Sequence, residues 1–133
     1  MRDAHAAVPA MSDCTKTDWA ASRVALALVW GLPAVAMLFA LLLEPGLRAA
    51  VWIAMLIWMG SACLLNARQC GRTHCRYTGP FFLGMAGLVA AHAAGVLPLG
   101  TQPWLMLGSL VVAGNALIWW ASERLFGTYS RRD

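Results

Sequence analysis

The sequence predicts an all-α integral membrane protein, a four-helix bundle built from two helical hairpins. Of its 133 residues, 60% are hydrophobic and only 12% are charged, shares far from those of an average soluble domain. The chain contains four continuous apolar runs, each close to the about 20 residues that a helix needs to cross the hydrocarbon core of a bilayer. The runs lack the alternation of a membrane β-strand, so helices are the expected form.

The turn residues between these runs place the predicted elements. In chain order, the tails and crossings are expected at 1–23, 24–43, 49–66, 81–97, 104–122 and 123–133. Pro45 and Gly46 separate the first two crossings closely enough for a tight antiparallel hairpin. Pro80 and Pro103 each precede a run, where a proline costs no helical hydrogen bond. Pro33, inside the first run, predicts a kink there.

Basic residues predict the orientation. Nine of the ten Lys and Arg residues fall before the first run, between the second and third, or after the fourth, and Arg48 alone lies in the first loop. Because positive charge in short loops marks the cytoplasmic side, we expect both termini and the middle loop in the cytoplasm. The net charge of +4 then reflects topology and attraction to lipid headgroups, and no nucleic-acid partner is expected.

The predicted middle loop, 66–80, has the sequence NARQCGRTHCRYTGP and holds the residues with the most distinctive chemistry. Cys70 and Cys75 enclose four residues, the wide edge of the spacing used by zinc sites, and His74 lies between them. Cys63 joins them only if the second helix stops early and the chain doubles back. The residues predict a soft metal ion, Cu(I), Zn(II) or Hg(II), with ligands drawn from Cys63, Cys70, His74 and Cys75.

Three arginines, Arg68, Arg72 and Arg76, surround the loop cysteines. Their charge and the positive end of the third helix are expected to favour the thiolates of Cys70 and Cys75. The same arginines are expected to contact lipid phosphates or other anions. All four cysteines, including Cys14 in the first tail, fall in or next to a reducing compartment, so no structural disulfide is expected.

Few polar side chains interrupt the apolar runs. His92 and Asn115 are the main ones, and they predict either hydrogen bonds between helices or a relay for a proton or cation. The third run is rich in small residues that allow close helix packing, within the bundle or with a second membrane protein. Its candidate packing positions are Gly84, Gly87, Ala91 and Gly95. The chain has no recognisable catalytic set, so a role other than catalysis is expected.

The segment 66–86, NARQCGRTHCRYTGPFFLGMA, resembles a motif of small, uncharacterised bacterial integral membrane proteins. In that motif an arginine-bracketed cysteine precedes His-Cys and then Thr-Gly-Pro ahead of a helix. The resemblance implies a multi-pass protein of the bacterial inner membrane. The positions that it marks for testing are Cys70, Gly71, Arg72, His74, Cys75, Thr78, Gly79 and Pro80.

Two further families are similar to this chain in helix count. One is the bacterial mercuric-ion transport proteins, whose paired vicinal cysteines in the first helix are absent here. The other is the four-helix quinone-linked thiol oxidoreductases, which have closely spaced cysteine pairs on the oxidising side of the membrane.

The function expected first is soft-metal binding for transport, sensing or resistance. The alternatives are a non-catalytic subunit that assembles with itself or another membrane protein, its loop contacting lipid or partner, and, third, a thiol-redox membrane protein. Membrane lipids are partners in each case.

Overall fold

The computed structural model describes residues 18, 19 and 21–127. This part of the chain is helical and contains no β-strand, which confirms the predicted all-α class. Cys14 and most of the two predicted tails lie outside the described residues. The four helices, in chain order, are α1 (Arg23–Ala40), α2 (Pro45–Cys70), α3 (Thr73–Ala93) and α4 (Pro103–Phe126).

α1 contains a distortion where the sequence predicts a kink. The helix begins after Ser22, whose Oγ accepts a hydrogen bond of 3.4 Å from a backbone N–H in the first turn. The segment Ala27–Gly31 is π-helical, and the N–H of Leu32 donates to the carbonyl of Ala27. Pro33 follows directly and has no N–H to donate, so the wider turn lies beside the residue that cannot continue the regular hydrogen-bond pattern.

α2 is longer at both ends than the predicted crossing at 49–66. Pro45 and Gly46, predicted as a turn, are instead its first residues, because the fixed φ of proline suits the first helical position. The Glu44 carboxylate caps this end by accepting hydrogen bonds from the N–H of Leu47 at 2.8 Å and of Gly46 at 3.2 Å. Acidic side chains are favoured at such a position by the helix dipole.

The prediction of a middle loop over 66–80 is wrong, because only Gly71 and Arg72 separate α2 from α3. Gly71 has φ 65° and its N–H donates to the Ala67 carbonyl over 2.8 Å. This left-handed conformation ends α2 and is readily adopted only by glycine. Because so short a turn lets α3 start at once, His74 and Cys75 lie in its first turn rather than in a loop.

The start of α3 also differs from the prediction at residue 81. Thr78, Gly79 and Pro80, which come before the predicted start, are inside the helix. A proline there removes one backbone hydrogen bond but leaves the rest of the ladder intact. α3 ends at Ala93, short of the predicted 97, and Gly95 follows with φ 74°.

α2 and α3 occupy the middle of the described bundle. α2 packs most extensively against α3 and also against α1, while α4 packs against α3. All four helices contribute to one core, whose buried side chains include Met37, Leu56, Phe82, Val89 and Leu107. α4 begins at Pro103, one residue before the predicted start at 104, and continues past the predicted end at 122.

Three of the four helices, α1, α2 and α4, are long and apolar enough to cross a membrane. Large apolar side chains on α1 and α4, such as Leu38 and Val112, are exposed and would contact lipid. These are the features of a membrane protein. α3 is not among the three helices, since its first turns carry polar and charged side chains such as His74 and Arg76. A fourth crossing at 81–97 and the cytoplasmic placement of both termini stay predictions.

Candidate functional site

Two glycines allow α2 and α3 to pack closely enough for their cysteines to meet. A Cβ added at Gly60 would lie 3.0 Å from the carbonyl oxygen of Gly79, and one added at Gly79 would lie 2.7 Å from the Leu64 side chain. Cys63 is one helical turn from the first glycine and Cys75 one turn from the second. Their side chains therefore face each other across the α2–α3 contact.

The two thiols lie within hydrogen-bonding reach of each other and are shielded from water. Cys63 is 1% exposed and Cys75 is 0% exposed. The indole of Trp30, in the π-helical segment of α1, lies beside the Cys63 sulfur, and Thr78 Oγ1 is 3.5 Å from it. Thr78 also donates to the carbonyl oxygen of His74 at 3.0 Å, so its hydroxyl is anchored within its own helix.

An imidazole completes this group, which we call the thiol cluster: Cys63, His74 and Cys75. His74 Nε2 is 3.3 Å from Cys75 Sγ, and Nδ1 is 3.0 Å from Glu123 Oε1 in α4. Because a carboxylate only accepts, this short contact assigns the ring proton to Nδ1 and leaves the lone pair of Nε2 facing the sulfur. Arg72 Nε also approaches Nδ1, but at a longer 3.4 Å.

The surroundings of His74 favour its neutral form. Burial lowers the pKa of the His74 imidazole, and the hydrogen bond to Glu123 opposes that effect only in part. The ring stacks on Trp119 with 4.9 Å between ring centres and 27° between planes. A neutral, oriented imidazole with an unprotonated Nε2 is the form in which histidine binds metals or accepts a proton.

A network of polar groups, the polar cap, covers the thiol cluster. It consists of the buried Asp18 and Asn66 and the half-buried Arg72 and Glu123. Arg72 pairs with Asp18 Oδ2 at 2.8 Å and with Glu123 Oε1 at 3.5 Å. Asn66 Nδ2 donates to Asp18 Oδ1 at 2.8 Å and lies 3.6 Å from Cys75 Sγ. The cap joins the segment before α1, the end of α2, the turn and the end of α4.

The expectation that the arginines make Cys75 more acidic is wrong. The guanidinium of Arg72 is directed to Asp18 and Glu123 rather than to the sulfur. The hydrogen bond with Cys63 raises the pKa of the Cys75 thiol, and burial raises it further. The pKa of the Cys75 thiol is therefore higher than that of an ordinary cysteine.

The structure brings together three of the four predicted metal ligands. Cys63, which needed an early end of α2 to take part, meets Cys75 even though α2 continues to Cys70. Cys70 is the buried last residue of α2. Among the described residues, no group of three or more His, Cys, Asp or Glu side chains already has the arrangement of a metal site. The predicted metal therefore stays a prediction.

Of the remaining predicted site residues, Arg72 lies against the thiol cluster, with its Nε 3.4 Å from His74 Nδ1. Arg68 and Arg76 are exposed, whereas Arg72 is part of the polar cap. His92, near the end of α3, has its Nδ1 3.0 Å from the carbonyl oxygen of Leu97 in the loop that follows. Asn115 is half-buried on α4.

The small residues of α3 do not all pack within this chain. Gly84 and Gly87 are exposed, and a Cβ added at either would meet nothing within 4 Å. Ala91 is half-buried, and Gly95 lies in the turn after the helix.

Sequence reasoning missed most of the polar cap and the stacking ring of Trp119. Asp18 and Glu123 were assigned to the tails, where acidic residues are usually solvated. The available signal was their position at the ends of apolar runs, on the side that holds the arginines.

No family model matches this sequence, and neither a curated protein nor a solved structure matches the chain.

Proposed function

We propose that this membrane protein binds a soft metal ion between the thiolates of Cys63 and Cys75, with His74 Nε2 as a further ligand. The observation that carries the proposal is the contact of two buried thiols across α2 and α3, with an imidazole nitrogen 3.3 Å from one sulfur. Thiolate ligands favour Cu(I), Zn(II) or Hg(II) over hard cations, which prefer oxygen.

The spacing of the ligands supports this proposal. A tetrahedral ion with bonds of about 2.3 Å to sulfur and about 2.0 Å to nitrogen separates those two atoms by roughly 3.5 Å. The observed 3.3 Å between Cys75 Sγ and His74 Nε2 needs only a small adjustment. Glu123 holds the other ring nitrogen, as the carboxylate partners of metal-bound histidines commonly do.

The proposed biological role is transport, sensing or resistance in a bacterial inner membrane, with the cluster near the cytoplasmic face. Three helices apolar enough to cross a membrane and the basic residues that flank them support this setting. Binding displaces the thiol protons, so the affinity for the ion is expected to rise with pH.

The test is elemental analysis of protein purified in detergent after growth with copper, with zinc and, separately, with mercury. Cys63→Ser and Cys75→Ser should each lose the metal that the wild type carries in proportion to protein. Cys70→Ser is the matched control, since Cys70 is also buried but lies about 10 Å beyond Cys63 along α2 at the helical rise. Circular dichroism and gel filtration should show all three variants folded.

Two outcomes would contradict the proposal: no metal above background in the wild type, or metal that survives both Cys63→Ser and Cys75→Ser. Thiol titration of the same samples covers the redox alternative. If the wild type lacks metal and two thiols become titratable only after reduction, the pair is a disulfide-forming site.

The second candidate function, a subunit that assembles through α3, is favoured by the open surface at Gly84 and Gly87. Small residues facing outward let a second helix approach closely in a membrane. Gly87→Leu should weaken cross-linking between copies or to a partner, whereas Ala113→Leu, at an exposed position on α4, should leave it unchanged. Equal cross-linking in both variants would exclude this surface.

A further inference from the structure

An apolar groove lies between α1 and α2, away from the thiol cluster. Its volume is about 570 Å³, within the about 300–1,000 Å³ of typical ligand sites. Its lining includes Leu28 and Val29 of α1 and Ala54, Trp58, Ser61 and Leu65 of α2. Ala54, Trp58, Ser61 and Leu65 are exposed, so the groove is open along the surface that would face lipid.

The length of the groove matches one leaflet of a bilayer. Along α2 the lining extends from Ala54 to Leu65, which corresponds to roughly 16 Å at the helical rise. Half of the hydrocarbon core of a bilayer is about 15 Å thick. The groove therefore has the length and the apolar surface of a site for one acyl chain.

Positive charge marks one end of the groove. Arg68 follows Leu65 by one helical turn on the same face of α2, and Arg23 is the first residue of α1. Both arginines are exposed. The backbone N–H of Trp19 donates to Asn66 Oδ1 at 3.2 Å, which holds the beginning of α1 against the end of α2. The two guanidinium groups are thus at the same end, where a lipid headgroup would lie.

We propose that this groove binds an anionic phospholipid, with one acyl chain along α1 and α2 and its phosphate held by Arg23 and Arg68. Guanidinium groups bind phosphate through charge-assisted hydrogen bonds, and anionic headgroups attract clustered basic residues. Trp19, which lines the groove at the charged end, is an amphipathic residue of the kind found at headgroup level. This lipid site does not depend on the metal site.

The experiment is native mass spectrometry of the full chain released from nanodiscs that contain equal amounts of phosphatidylglycerol and phosphatidylcholine. The wild type should retain one phosphatidylglycerol. Arg23→Gln combined with Arg68→Gln should reduce the retained fraction about tenfold, and so should Ser61→Trp, which fills the groove but keeps both arginines. Arg124→Gln, which removes an exposed arginine from α4, should retain lipid like the wild type.

Circular dichroism identifies any variant that fails to fold. If the arginine double variant fails, Ser61→Trp decides the result, and if Ser61→Trp fails, the double variant does. Equal retention of the two lipids, or retention in Ser61→Trp, would overturn the proposal. Displacement of the lipid by inorganic phosphate alone would show an anion site without the acyl-chain groove, and would overturn it too. So would a dimer that forms without lipid and is lost in Ser61→Trp, because the groove would then hold a second copy.

Discussion

Arg72→Gln should destabilise the protein far more than the loss of a surface charge. The guanidinium pairs with Asp18 at 2.8 Å, and the side chains of the two residues are only 14% and 0% exposed. The variant would leave the Asp18 carboxylate buried, with Asn66 still donating to it at 2.8 Å. A neutral amide cannot balance that charge.

The expected loss is about 3–5 kcal/mol, the usual cost of removing one partner from a buried ion pair. The second pair, between Arg72 and Glu123, contributes little, because it is 3.5 Å long and the Glu123 side chain is 26% exposed. In the double variant, Asp18→Asn with Arg72→Gln, the carboxylate that faced the guanidinium is neutralised as well. Its free energy of unfolding should therefore exceed that of Arg72→Gln alone.

The assay is reversible unfolding in mixed detergent micelles, followed by far-UV circular dichroism. Arg76→Gln is the control, since Arg76 is exposed and should change stability by less than about 0.5 kcal/mol. The reasoning is refuted if Arg72→Gln costs less than about 1 kcal/mol, or if its effect and that of Asp18→Asn simply add.

Three further predictions concern packing and protonation. Gly79→Ala should cost about 1–3 kcal/mol in the same assay, because the added Cβ would lie 2.7 Å from a leucine of α2. Gly87→Ala, with open space around it, should be neutral or slightly stabilising. Equal losses of stability in Gly79→Ala and Gly87→Ala would contradict the packing argument. Trp52→Phe should cost about 1–3 kcal/mol, because Trp52 Nε1 donates at 3.0 Å to the buried carbonyl of Met37. An unchanged stability would contradict this, since water would then satisfy the carbonyl in place of the indole. Since the pKa of His74 is lowered on folding, the unfolded chain binds more protons, and stability should fall as pH drops below about 6.5. In His74→Gln this loss of stability should be absent when unfolding is measured from pH 7.5 to 5.5. The same pH profile in the variant and the wild type would contradict the prediction.

The helices could be predicted because they depend on local signals. Apolar runs and Pro103 locate α1, α2 and α4 to within a few residues, although Pro45 was predicted in a turn and is the first residue of α2. Pro80 misled the prediction, since a proline ahead of an apolar run usually marks a helix start. In the structure the helical hydrogen bonds on both sides of Pro80 are retained, so α3 extends back to Thr73.

The thiol cluster could be predicted only in part. The cysteines and His74 stand out by residue type, but their contacts depend on the direction in which Gly71 turns the chain and on the close approach of two helices. Glu123 lies 49 positions from His74 along the chain, so its role as the partner of the imidazole has no local signal. Tertiary packing decides such contacts, and no periodicity in a single sequence encodes them.

The contact between Gly60 and Gly79 has a consequence for the chemistry of the site. Neither residue has a side chain that could react, yet together they determine how far apart the backbones that carry Cys63 and Cys75 stand. A larger residue at either position would widen that separation without changing any residue of the thiol cluster. If the proposed metal site is correct, substitutions outside the cluster would thus change which ion it prefers, since a wider pair of sulfurs suits a longer metal–sulfur bond.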